Sequence, residues 1–214
     1  LRLALLGAVF FALCSGAFAQ SRPGDFDFYV LTLSWSPSYC AAEGVRADRM
    51  QCAGARPYAF VVHGLWPQFE RGYPEYCDPS APRIPQRQID GMLDLMPSPR
   101  LVINEWRKHG TCSGLGSAGY FAALKSARGR VTIPAEFVDP EGWRMVSPGD
   151  VEAAFLAANP GLPADGVAVT CDGRHLREVR VCVTRDFDFR PCPEIDRGSC
   201  RARKVAMPPS RGPR

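Results

Sequence analysis

Between residues 26 and 35 the chain alternates, with Phe26, Phe28, Val30, Thr32 and Ser34 on one side and Asp27, Tyr29, Leu31, Leu33 and Trp35 on the other. A period of two in a β-rich run that ends at Ser36-Pro37 predicts a strand, and it reads as a central one. Residues 58–62 (YAFVV) predict a second, short strand that delivers His63-Gly64 at its end, so His63 is expected where a strand leaves the sheet. Residues 67–85, with five prolines around Gly72 and Cys77, read as an irregular loop pinned by a bridge. Helical patterns follow over 86–95 and 100–109, separated by Pro97-Ser98-Pro99, and Gly110 is expected to cap the second. A third helix is predicted over 120–127. A fourth opens at Ser147, a capping serine before a first-turn proline, and runs to about Asn159, where Pro160-Gly161 stops it. Residues 167–171 and 176–184 alternate again as strands joined at Asp172-Gly173. The sum is an α+β fold with helices and a mainly antiparallel sheet.

Residues 3–13 are an uncharged apolar run behind Arg2, followed by small residues and Ala17-Phe18-Ala19, the pattern of a signal peptide over 1–19. A helix needs about 20 residues to cross a bilayer of ~30 Å, and neither this run nor any later one is long enough, so no membrane anchor is expected. Cys14 follows Leu13 rather than the small residue that lipid attachment requires, and is expected to leave with the signal. The mature chain is then secreted or periplasmic, with one domain over 20–207, a disordered tail over 208–214, and a monomer as the default state.

Composition changes the picture in two ways. Arg2 and the five basic residues after Cys200 leave 20 basic against 22 acidic residues between 20 and 200, a net of −2, so charge gives no argument for a nucleic-acid partner. The basic end is expected to be solvated rather than bound to phosphate. Eight of the nine cysteines lie beyond residue 19, and an even count in an exported chain predicts four disulfides. No C-x-x-C pair occurs and the three histidines lie far from any close pair of cysteines, so neither a metal site nor a cofactor is expected.

Candidate chemistry concentrates in the 100–109 helix, where Leu101, Asn104, Glu105, Lys108 and His109 share a face because they stand three or four apart. On an isolated helix this would be a solvated stripe with a Glu105–His109 pair contributing ~0.3 kcal/mol. Here the stripe ends at Gly110 and Cys112, so a covalent bridge would hold its last turn rigid, as a catalytic site requires. His63 is the second candidate imidazole; alone it would read as a hydrogen-bonded histidine at a strand end. His175, after Asp172-Gly173, is expected in an exposed turn.

Phe60-Val61-Val62-His63-Gly64-Leu65-Trp66-Pro67 and Glu105-Trp106-Arg107-Lys108-His109-Gly110-Thr111-Cys112 resemble the two active-site segments of the ribonuclease T2 family. The likeness extends through Leu33-Ser34-Trp35-Ser36-Pro37 to the late cysteines and so covers nearly the whole mature chain. It implies endonucleolytic cleavage of single-stranded RNA with weak base preference, through a 2′,3′-cyclic phosphate and without a metal. RNA carries its own nucleophile, the 2′-hydroxyl, so two histidines and a cation suffice, and DNA should stay intact. Carried over by position, the resemblance implies His109 as base, His63 as acid, Lys108 as the cation for developing charge and Glu105 as a group that steadies it. It also implies Trp66, with Tyr73, as an aromatic wall for a base. The family's second segment usually opens with a third histidine that binds phosphate, and here that position is Asn104, which can donate a hydrogen bond but carries no charge. Reduced activity is expected, and the competing reading is a secreted binding protein that keeps the fold without the catalysis. The resemblance further implies the pairs Cys77–Cys112, Cys171–Cys200, Cys182–Cys192 and Cys40–Cys52, with Cys171–Cys182 as the rival for the hairpin.

Overall fold

A computed structural model describes residues 22–54, 56–140 and 142–210; the signal-peptide reading of 1–19, with Cys14, and the end of the tail at 211–214 lie outside them. The described residues form β1 (Phe28–Trp35), β2 (Phe60–Gln68), β3 (Arg144–Val146), β4 (Val167–Cys171), β5 (Leu176–Val183) and β6 (Val205–Met207). The α-helices are α1 (Ser36–Glu43), α2 (Arg49–Cys52), α3 (Gln86–Asp90), α4 (Pro99–Lys108), α5 (Gly116–Arg130), α6 (Pro148–Ala158) and α7 (Pro193–Arg197). The main sheet is antiparallel in the order β2-β1-β5-β4, which places the run expected to be central inside the sheet.

Residues directly paired across strands share a face. Leu31 faces Leu65 and Val181, and Leu33 faces Val179, which in turn faces Val169; this side belongs to the main core with Leu124 of α5 and Phe155 of α6. The opposite side divides in two. Phe28 and Val30, with the Cys182–Cys192 bridge, make a small apolar cluster at one end. Thr32 paired with Arg180, and Ser34 with Glu178, make the other end polar.

Several expectations are corrected. The second strand does not end at His63 but continues to Gln68, and the pairing shifts register between Thr32–Gly64 and Leu33–Val62, leaving His63 as the extra residue of a β-bulge. A bulge bends the strand and re-aims one side chain. The helix expected over 86–95 stops at Asp90 and tightens into turns, which lets both Met92 and Met96 reach the core. Gly110 is not a left-handed cap but opens a 3₁₀ turn, Gly110–Ser113, and Gly114 takes the positive φ of 74°. Position 110 needs glycine for space, since a Cβ there would lie 2.4 Å from the Trp106 ring and 2.8 Å from Tyr120. Ser147 precedes α6, but its side chain makes no capping bond; Pro148 at the first turn, with its fixed φ, marks the start.

The C-terminal segment is not solvated throughout. β6 pairs with β3, its three residues are buried, and the Trp35 indole donates to the Pro208 carbonyl at 2.9 Å. His175 bridges to Ala206 with only 13% of its side chain accessible, rather than standing in an exposed turn. The four bridges are Cys40–Cys52, Cys77–Cys112, Cys171–Cys200 and Cys182–Cys192.

Candidate active site

Two elements bring the two sequence segments together. The helix α4 is started by Pro99 and by Ser98, whose hydroxyl accepts from the Leu101 amide, and it is anchored by buried Val102 and Trp106, the latter packed against Tyr120 and Phe121. Edge strand β2 is held by the Tyr120 hydroxyl, which donates to the Leu65 carbonyl at 3.1 Å and accepts from its amide. The Cys77–Cys112 bridge and the Tyr76 amide, bonded to the Lys108 carbonyl, tie the loop after β2 to the end of α4.

At the junction, Trp66 is the brace. Its indole N–H donates to Glu105 Oε2 at 2.7 Å, its ring stacks on His109 with centroids 5.0 Å apart, and it meets His63 edge-on at 5.3 Å. Glu105 Oε1 stands 3.5 Å from His63 Nε2. Gly64 makes this approach possible, because a Cβ there would fall 2.1 Å from Glu105 Oε2 and 2.5 Å from Trp66 Nε1. His63, Glu105, Trp66 and His109 therefore form one contiguous group. Lys108 adjoins it, 3.5 Å from the Glu75 carboxylate and 6.0 Å from the centre of the Tyr73 ring, which is 54% exposed. Asn104 is exposed on the ridge between two clefts, of about 810 and 680 Å³. The first runs beside Tyr76, Ile103 and Lys108, and the second beside Ser34, Tyr39 and His63.

Sequence reasoning missed three residues. Glu178 Oε1 lies 2.6 Å from His63 Nδ1, Ser34 Oγ lies 3.3 Å from the same nitrogen, and Arg180 binds Glu178 Oε2 through Nε and Nη2 at 3.1 and 2.8 Å. The Arg180 guanidinium also lies over the Trp66 ring at 5.1 Å. The available signal was a pair of opposite charges at i and i+2 in an otherwise Val-rich strand, which puts both on one face.

These contacts separate the two imidazoles electrically. Burial pushes His63 down, but the Glu178 hydrogen bond and the charges of Glu105 and Glu178 outweigh it and leave the ring above its ordinary value. Burial, aided by the positive charges of Lys108 and His63, pushes His109 down to about 3. Its buried Nδ1 has no hydrogen-bond partner among the described residues, so nothing offsets the cost of charging it. Glu105 is held above the usual carboxylate range by burial, against the pull of His63, the Trp66 bond and Lys108. Glu178 is also buried, yet His63 and Arg180 prevail and push it down to about 2.

A constellation of two imidazoles with divergent basicity beside carboxylates and a lysine suits proton transfer at one reacting group. The sequence profile of the Ribonuclease T2 family matches residues 26–192. A ribonuclease of Aeromonas hydrophila is 34% identical over 184 residues, spanning 78% of this chain and 76% of its own. Ribonuclease 1 of Arabidopsis thaliana is 34% identical over 211 residues, spanning 86% and 87%. The crystal structure of RNase NT in complex with 5′-AMP superposes with a TM-score of 0.64 at 28% identity, covering 86% of this chain and 99% of that one. The chain belongs to the ribonuclease T2 family and is an endoribonuclease of that type, with the family's antiparallel sheet and helices.

Proposed function

We propose that this protein is an exported enzyme that cleaves single-stranded RNA by transphosphorylation, with weak base preference and no metal. The observation that carries this reading is the pair of imidazoles that meet the same Trp66 ring, one pushed toward its neutral form at His109 and the other held by two carboxylates toward its charged form at His63. His109 takes the proton of the 2′-hydroxyl, whose oxygen forms a bond to phosphorus as the bond to the 5′-oxygen breaks. His63 protonates that leaving oxygen, and a 2′,3′-cyclic phosphate remains. Lys108 supplies positive charge toward the crowded phosphate, and Glu105 steadies His63 and Trp66. Tyr73, largely open and near Lys108, offers a face on which any base can stack, and exposed Asn104 offers a polar contact. Export is supported by the four disulfides, which persist in oxidising surroundings.

The test is incubation with single-stranded RNA in EDTA. Expected are cleavage that survives the chelator, products ending in cyclic phosphate, intact DNA, and a loss of ~10²–10⁴-fold in His63→Ala and in His109→Ala. Inhibition by EDTA, or full activity in either variant, would overturn the assignment.

A further inference from the structure

Glu178 reaches His63 across a whole strand. It stands on β5, β1 lies between, and its partner in register is Ser34, itself paired with Val61 two residues before His63. The reach succeeds because the bulge turns the imidazole toward the polar end of the sheet face, where Glu178 Oε1 meets Nδ1 at 2.6 Å and Ser34 donates to the same oxygen at 3.5 Å. The other oxygen, Oε2, is occupied by Arg180 through two nitrogens, so the carboxylate cannot rotate away without breaking both bonds. Only 12% of the Glu178 side chain is accessible, which limits competition from water.

We propose that Glu178 is a positioning residue for cleavage, locked by Arg180, which fixes the proton of His63 on Nδ1 and so reserves Nε2 for transfer. This deepens the reading of His63 as the acid and rests on it. In the charged ring both nitrogens carry protons; Nε2–H, 3.5 Å from Glu105 Oε1, gives its proton to the leaving 5′-oxygen. The ring becomes neutral with Nδ1–H still donated to Glu178, and no proton passes to the carboxylate. When water later opens the cyclic phosphate, its proton returns to Nε2. An imidazole without that anchor could place its neutral proton on either nitrogen, and a misplaced tautomer is severely costly in proton-transfer catalysis. The charged and titratable groups around His63 are Glu178 and Arg180 on β5 and Glu105 on α4, with Lys108 at the end of the same helix and His109 just past it. Of these, Glu178 alone bonds Nδ1 as an ion-pair partner.

The experiment compares pH–rate profiles of the full protein with Glu178→Gln and Glu178→Asp. Glutamine keeps the shape and removes the charge, and the alkaline limb of kcat/KM is expected to move toward acid by about one pH unit or more. kcat at neutral pH is expected to fall ~10-fold or more with KM within about twofold, and aspartate should recover part of the loss. A glutamine variant with an unmoved limb, while His63→Ala still abolishes cleavage, overturns this role and leaves the enzyme reading standing. Full activity in His63→Ala overturns both. Should glutamine prevent folding, nitrogen-15 NMR of the unaltered protein decides: Nδ1 of His63 must remain protonated through the titration, and a neutral ring protonated at Nε2 overturns the proposal.

Discussion

His63 and His109 touch the same indole and differ in nearly everything else. His63 sits on a strand bulge, a third of its side chain open, between two carboxylates. His109 closes a helix, is 4% exposed, has no acidic partner among the described residues, and lies beside the positive charge of Lys108. Identical side chains thus receive opposite instructions from their surroundings, one to keep its proton and the other to stay without one. Acid and base assignments follow from such divergence more securely than from residue type.

The largest disturbance short of removing a histidine is expected from Gly64→Ala. The added methyl cannot coexist with the Trp66–Glu105 bond, so it moves the brace on which both rings rest. Activity should fall ~10²-fold, the order expected for about 1 Å of misplacement, in the pH-independent region of the profile. Equal kinetics in the alanine variant would mean that Trp66 does not hold the two rings in relation to each other.

The buried, neutral state of His109 has a thermodynamic consequence that His63 lacks. A histidine whose folded value is depressed to about 3 binds its proton first in the unfolded chain, so its contribution to stability is present above the unfolded value near 6.5 and shrinks as pH falls toward 3. His63, raised, contributes fully below its unfolded value and loses that contribution only as pH rises through the folded one. Glu178, depressed to about 2, begins to lose its contribution only below its own unfolded value near 4.5. Over the interval from pH 6.5 to 4.5 the loss at His109 runs against a gain from Glu105, whose raised folded value takes up a proton before the unfolded chain does, so stability should drop there by less than the roughly 2 kcal/mol that His109 alone would give. Chemical denaturation at several pH values checks this, and His109→Gln should flatten the slope; a slope that persists would place its source elsewhere.

What the sequence disclosed of this contrast was uneven, for physical reasons. The helical stripe ending at His109 was legible because a period of 3.6 survives along α4, and β1, β4 and β5 were legible because a period of two survives along each. His63 was misplaced at a strand end because a bulge inserts one residue and breaks the alternation at the position that matters. Glu178 and Arg180 look in sequence like the solvated side of a strand; only the order β2-β1-β5 sets them under the imidazole, and that order is a long-range fact. The same limit hid β3 and β6, three residues each, whose pairing joins segments some 60 residues apart. Gly110 was correctly conspicuous, but the reason lies in Trp106 and Tyr120 rather than in its backbone angles.

The smallest expected effect concerns a position that belongs to neither imidazole. Asn104 is exposed on α4 between the two clefts, so a longer ring at this site meets no buried wall. Asparagine offers a neutral donor to a phosphate, and a protonated histidine would offer a charged one, which is roughly twice as strong for the same contact. A gain of ~1 kcal/mol is reasonable for a hydrogen bond upgraded in this way, equivalent to about fivefold. Asn104→His should therefore raise kcat/KM about fivefold, and the gain should fade as pH rises above about 6.5, where the new ring loses its charge. The ratio of variant to parent measured across pH makes the test specific. A gain constant with pH would indicate a packing effect, and no gain at any pH would show that charge at this ridge does not reach the phosphate.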